Sequence, residues 1–301
     1  MKTLRKYISE AAKNKRAIGH FNISNMEGVW AIVRAAETVA KEMGEEVPVM
    51  IGVSEGERDF FGVREIAAVV KAIREERGLP VFLNADHTYS FERVKEAIDA
   101  GFDMVIFDGT ELAFDENIRV TKSCVKYAKK LNRFFGQRVL VEAELGYIGK
   151  SSKVLEAVPE GITLSEESLT KADQAKEFVK ATGIDLLAPA VGNIHGMFAK
   201  GKDPALNIAR VGEVSAAVGL PLVLHGASGN TDADIQAAIS AGVAIVHVNT
   251  ELRVAFRNGL DATLTVNPKE VAPYKYLAPA REAMQKVVEE KLRVFLNKKI
   301  N

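Results

Sequence analysis

Eight times along this chain a short apolar run, in seven cases stopping at a polar residue, gives way to a stretch with apolar positions at helical spacing. The runs cover residues 16–21, 47–53, 80–87, 103–107, 138–141, 185–190, 220–224 and 243–248. Runs of this kind read as strands buried on both faces, and strands joined through helices lie parallel with right-handed crossovers. Eight such units close into a (β/α)8 barrel, an α/β fold. An open doubly wound sheet is the competing arrangement. It carries a glycine-rich fingerprint after its first strand, whereas Asn22-Ile23-Ser24-Asn25 follows the first run here. At 301 residues the chain is expected to form one barrel domain, residues 1–301, with a C-terminal helical tail.

Between the strands the pattern is regular. Residues 27–42 place Val29, Ile32, Val33, Ala36 and Val39 on one helical face, and charge-rich stretches such as Arg74-Glu75-Glu76-Arg77 read as solvated faces. Only the segment from Ile148 to about Leu169 keeps no period, and it reads as a long functional loop.

Composition narrows the partners. Lys plus Arg is 40 and Asp plus Glu is 40, so the chain lacks the basic excess of a nucleic-acid binder. No apolar run approaches the length of a membrane span. Cys124 is the one cysteine, which rules out an intrachain disulfide and a cysteine-built zinc site. Residues Met1–Lys6 are followed by no apolar core of a secretory leader, so a cytoplasmic location is expected.

A barrel of this type carries its chemistry at the C-terminal ends of its strands. Those ends hold Asn22, Ser54, Asp86, His87, Asp108, Glu142, Glu144, His195, His225, His247 and Asn249. The chain has five histidines, His20, His87, His195, His225 and His247, and all of them fall in strands or at strand ends. His87, His195 and His225 close the third, sixth and seventh strands; three neutral imidazoles around one ion are a catalytic zinc set with a fourth position open. The plainer reading of any one of them is a surface or core histidine. Asp86 and His87 pose a geometric condition. Neighbours on a strand face opposite ways, so the two can serve one ligand only if the strand has already turned into a loop.

Two glycine turns, Gly192-Asn193-Ile194-His195-Gly196 and His225-Gly226-Ala227-Ser228-Gly229, put backbone N–H groups and the Ser228 hydroxyl where such barrels hold phosphate. Ordinary βα turns are the alternative reading.

Taken together, several segments resemble the class II (metal-dependent) ketose-bisphosphate aldolases of the fructose- and tagatose-bisphosphate type. They are Asp86-His87, Asp108-Gly109-Thr110 with Glu116-Asn117-Ile118, Glu142-Ala143-Glu144-Leu145-Gly146, the two glycine turns, Val248-Asn249-Thr250-Glu251 and the tail Leu277-Ala278-Pro279-Ala280-Arg281-Glu282-Ala283-Met284. The resemblance spans nearly the whole chain. It implies that His87, His195 and His225 hold a catalytic Zn²⁺. Asp108 and Glu144 would match a second cation position, divalent or monovalent, or its vacated form. Asp86 would be the acid/base at the hydroxyl of the cleaved carbon. Asn22, Ser54, Gly196, Gly226, Ser228, Asn249 and Thr250 would contact the sugar phosphate. A homodimer or homotetramer is implied too, with Arg281 a candidate to reach a neighbouring subunit's site.

The pattern is broken in three places. Ser152 stands where the family carries a loop glutamate, and Glu156 or Glu160 are the expected substitutes. His247 stands where the family has a catalytic asparagine, and it is expected to act in catalysis. Ile245 stands where many members have a lysine, which would remove a positive charge near the phosphate. His20, on the first strand, is placed where it could meet His247 on the eighth; a core histidine with a backbone hydrogen bond is the plainer reading. These departures keep two alternatives open: an epimerase-like use of the same enediolate, and a non-catalytic accessory subunit.

Overall fold

In the computed structural model of the chain, residues 1–136, 138–149, 154–155, 166–198 and 204–297 are described. Among them eight parallel strands close into a barrel: β1 (Ile18–Asn22), β2 (Val49–Val53), β3 (Val81–Thr88), β4 (Met104–Phe107), β5 (Leu140–Leu145), β7 (Leu186–Pro189), β9 (Leu222–Leu224) and β10 (Val243–Val248). The strands β6 (Val154–Leu155) and β8 (Met197–Phe198) pair with each other outside it. Closure joins β1 to β10, with Ile18 opposite Ile245 and His20 opposite His247.

The pleat explains what fills the barrel. Residues two apart face the same way, so the inward side of β1 reads Ile18, His20, Asn22; that of β3 reads Phe82, Asn84, Asp86; that of β5 reads Leu140, Glu142, Glu144. The lower members form one apolar cluster of Ile18, Met50, Phe82, Met104, Ile106, Leu140, Leu186, Val223 and Ile245. Helix α1 (Leu4–Lys13), N-capped by Thr3, plugs this end with Leu4, Tyr7 and Ile8, each worth about 1.5–3 kcal/mol of burial. Outward residues such as Phe21, Ile51, Leu83, Val105, Val141 and Val246 pack against the helices.

Those helices are α2 (Met26–Met43), α3 (Glu55–Phe61), α4 (Val63–Arg77), α5 (Phe91–Ala100), α6 (Phe114–Phe135), α7 (Ala172–Thr182), α8 (Ile208–Val218), α9 (Asp232–Ala241), α10 (Thr250–Val266), α11 (Pro273–Tyr276) and α12 (Ala278–Phe295). The sequence reading holds for the barrel and its strand count. It differs in two places that matter. Residues 55–61 carried no expectation and form α3, started by the reciprocal Ser54–Glu57 cap. Glu142 and Glu144, expected beyond the fifth strand, lie inside β5, both facing the barrel interior and buried. Among the described residues no helix is long and apolar enough to cross a membrane.

Candidate metal centre and active site

At the end of β3 the pleat fails. The ladder to β4 slips between Ala85 and Thr88, and the ladder to β2 ends at Ala85, so Asp86 and His87 are paired in neither. His87 sits at φ +36°, a left-handed conformation that costs a non-glycine residue on the order of 1 kcal/mol or more. This bulge meets the condition set by the sequence: the strand has turned, and both side chains face the barrel mouth.

Four donors then converge. His87, Glu144, His195 and His225, from β3, β5 and the turns after β7 and β9, bring one ligand atom each within 4.8 Å of one another. Glu142 Oε1 lies 2.7 Å from His225 Nε2, which leaves Nδ1 as the bare nitrogen of that ring. Asp108 Oδ2 lies 3.1 Å from His87 Nδ1, which leaves Nε2 bare. The two bare nitrogens stand 3.3 Å apart. Ligands at about 2.1 Å from a tetrahedral ion stand roughly 3.4 Å apart. His195 Nε2 is buried with no hydrogen-bond partner, and Glu144 Oε1 lies 3.0 Å from His87 Nδ1 and 3.4 Å from His225 Nδ1. Imidazoles and a carboxylate crowded around one point, with His87 and His225 each backed by a second carboxylate, fit a bound cation.

The two acids assigned together by the sequence separate here. Glu144 belongs to the donor cluster, and its backbone carbonyl is held by Asn117 Nδ2 at 3.3 Å. Asp108 stands behind His87, its other oxygen accepting from the Thr110 amide and hydroxyl.

A small cavity opens above this cluster, lined by Asn22, Asp86, His87, His195, Gly196, Gly226, Ser228, His247, Asn249 and Thr250. Gly226 (φ +59°) cannot be replaced there, because a Cβ would lie 2.1 Å from the Ile194 carbonyl oxygen. Ser228 Oγ accepts from the Asn249 and Glu251 amides at the start of α10. Ser54 is not among the lining residues; its hydroxyl donates to Glu57 Oε2 at 2.9 Å. Ile245 is not among them either. It packs in the lower apolar cluster, so the missing lysine leaves no gap beside the cavity.

The chain matches the family described as "Fructose-bisphosphate aldolase class-II" over residues 2–299. It belongs to that family. It is 38% identical over 296 residues to the fructose-bisphosphate aldolase of Geobacillus stearothermophilus, covering 97% of this chain and 96% of the relative. It is 38% identical over 297 residues to the fructose-bisphosphate aldolase of Staphylococcus aureus, covering 97% and 96%. The crystal structure of the YdjI aldolase from Escherichia coli K12 superposes with a TM-score of 0.77 at 32% identity, covering 97% of this chain and 96% of that one. The family is metal-dependent and its aldolases are carbon–carbon lyases, so the four-donor cluster is its candidate metal centre.

Beside that centre this aldolase carries a stack of imidazoles. The His20 and His247 rings lie 3.5 Å apart at 7°, and His247 lies 4.0 Å from His225 at 25°. Asn84 Nδ2 donates to His20 Nε2 at 3.0 Å, and His247 Nδ1 faces Asp86 Oδ1 at 3.4 Å. Gly52 makes the room: a Cβ there would lie 2.0 Å from the His20 ring. His20, Asp86 and His247 also bring one ligand atom each within 4.8 Å of one another, a three-donor group beside the four-donor cluster.

Burial and charge sort the groups. Burial and the neighbouring histidines hold His195 and His247 well below the ordinary imidazole range, and burial pushes His20 down to about 4. Burial opposes charge on His87, but Glu144, Asp86 and Asp108 outweigh it and hold that ring well above the ordinary range. A cation would take the place of that proton. Asp86 is held well below the carboxylate range: burial works against it, and His87 leads the groups that outweigh burial.

Three residues were missed by the sequence reading. Glu57, buried, accepts from Asn22 Nδ2 at 3.0 Å and pairs with Arg253 at 2.6 Å. The Ser54-Glu55-Gly56-Glu57 capping pattern was the available signal. Asn193 donates to the His225 carbonyl at 2.9 Å and ties two ligand turns together. Arg58 is fully buried, and nothing in a charged residue between two strands announces that.

Proposed function

We propose that this family member is a zinc-dependent aldolase that cleaves and forms a carbon–carbon bond in a ketose phosphate or bisphosphate, with dihydroxyacetone phosphate as one fragment. The observation that carries the reading is the convergence of His87, Glu144, His195 and His225 beneath a cavity that Asp86 also faces. The bound ion would act as a Lewis acid toward the oxygens on which negative charge develops. The other steps fall to side chains. Asp86, ionised and held by Asn22 Nδ2 at 2.9 Å, accepts the proton of the hydroxyl on the carbon being released. That carbon becomes an aldehyde, and the electron pair of the broken bond stays on the ketone fragment as an enediolate. Ser228, Asn249 and Thr250, at the positive end of the 17-residue α10, receive the phosphate. Ser152, Glu156 and Glu160 lie outside the described residues.

The His20–His247 stack favours a second reading within the same chemistry, in which the preferred substrate is a ketose phosphate other than fructose 1,6-bisphosphate. An amide and a stacked imidazole present different hydrogen-bonding groups to the substrate oxygen they face. Purified protein assayed for metal and for turnover on a panel of ketose phosphates and bisphosphates tests both readings. Bound zinc with cleavage that Asp86→Ala abolishes is the expected result. An epimer as product would move the assignment to isomerisation, and a metal-free protein inert on the whole panel would leave an accessory subunit. A cytoplasmic homodimer or homotetramer belongs to the same reading, and light scattering of the purified protein checks the assembly.

A further inference from the structure

We infer that Arg58 is the positioning residue for the metal centre: from α3 it holds the β3 bulge in the one backbone shape that turns His87 toward the other ligands. The inference rests on the metal-centre reading above.

Arg58 is fully buried, and its guanidinium meets two carbonyls and a hydroxyl rather than a carboxylate. Nη1 donates to the Val53 carbonyl at 2.8 Å and to the Asp86 carbonyl at 3.2 Å; Nη2 donates to Thr88 Oγ1 at 3.1 Å. These contacts bracket the irregularity. Val53 is the last residue of β2, paired with Ala85, and Asp86 and Thr88 flank His87 at φ +36°. Where both ladders let go of β3, the planar fork of one arginine supplies the missing donors. A buried guanidinium without a carboxylate partner is costly, and so is a left-handed histidine. Here the two features occupy one place, and the second depends on the first. Without the fork, the Asp86 carbonyl loses its donor, β3 is free to regain a regular pleat, and the pleat would send His87 and Asp86 to opposite faces. Thr88 is held from the other side as well, its carbonyl accepting from the Asp108 amide at 2.9 Å. Asp108 in turn faces His87 Nδ1, so backbone and ring of this ligand are fixed through the same short segment.

The alternative is that Arg58 only fastens α3 to the sheet. The two roles separate when zinc affinity, by chelator competition, is measured beside the melting temperature of the metal-free protein. Arg58→Met keeps the volume and removes the fork. The expected result is a zinc affinity lower by about 10–100-fold, a metal-free melting temperature within a few degrees of wild type, and altered visible bands in the Co²⁺-loaded form. Arg58→Lys, a point charge without a fork, should recover part of the affinity, and Thr88→Val should lose severalfold. Zinc affinity in Arg58→Met within about threefold of wild type would overturn the inference. Should that variant not fold, wild-type affinity in both Arg58→Lys and Thr88→Val would overturn it instead. If the wild-type chain itself binds no divalent ion, the metal-centre reading falls and takes this one with it. Normal binding by both wild type and Arg58→Met removes this inference alone.

Discussion

The two ends of the barrel interior are built from the same eight strands and share almost nothing else. Below, Ile18, Met50, Phe82, Leu140 and Ile245 interdigitate with α1 in a dry plug. Above, two residues further along the same strands, stand His20, Gly52, Asn84, Glu142 and His247, all buried, with His247 lining the cavity. The lower end is held by burial alone and tolerates any residues of suitable shape. The upper end buries histidines and acids that stay there only because they satisfy one another or are ready to satisfy an ion. Stability lies at one end and chemistry at the other, and each strand carries both.

This contrast can be broken from either side. Asp86→Asn should lower kcat by roughly 10²–10⁴-fold with zinc still bound, because it removes the proton acceptor and keeps the shape; steady-state cleavage with a metal assay checks it. Phe82→Ala should do the reverse. It opens a cavity under the Tyr7 ring, 5.8 Å away, and should cost about 3–5 kcal/mol in urea unfolding while turnover per folded molecule holds.

The buried imidazoles give a pH signature. His20 is pushed down to about 4, so between pH 6.5 and 4 the unfolded chain binds a proton there that the folded chain does not. Its contribution is therefore intact above pH 6.5 and is lost as pH falls, on the order of 3 kcal/mol by pH 4. His20→Gln, which keeps an acceptor for Asn84, should flatten the stability–pH profile over that window relative to wild type. An unchanged slope would show that the His20 ring already accepts a proton in the fold. The smallest effect is expected from Glu142→Gln, which leaves the fold intact but weakens the hold on the His225 ring; zinc affinity should fall by about 10–100-fold at neutral pH.

Much of the upper end was legible beforehand. Strand ends pointed to Asp86, His87, His195 and His225, and strand adjacency left room for the His20–His247 encounter beside the plainer core-histidine reading, because first and last strands of a closed barrel are neighbours. What escaped was of another kind. Ile245 was expected beside the phosphate and packs two residues too deep, since position along a strand sets depth in the barrel and only the register reveals it. Asp108 and Glu144 looked equivalent, but one stands behind His87 and the other lies within the donor cluster. Arg58 carried no signal, because a buried guanidinium is recognisable only by the oxygens around it.

The amino-acid order alone determined the alternation of strand and helix, the count of eight, and the change from apolar to polar along most of the inward faces. Those are local properties, set by the pleat and by helical periodicity over a few residues. Tertiary structure alone decided that His87 and His225, 138 positions apart, bring two nitrogens within 3.3 Å, and that a bulge rather than a regular strand presents Asp86 and His87 together. Barrel closure fixes such distances, and no local rule reaches that far.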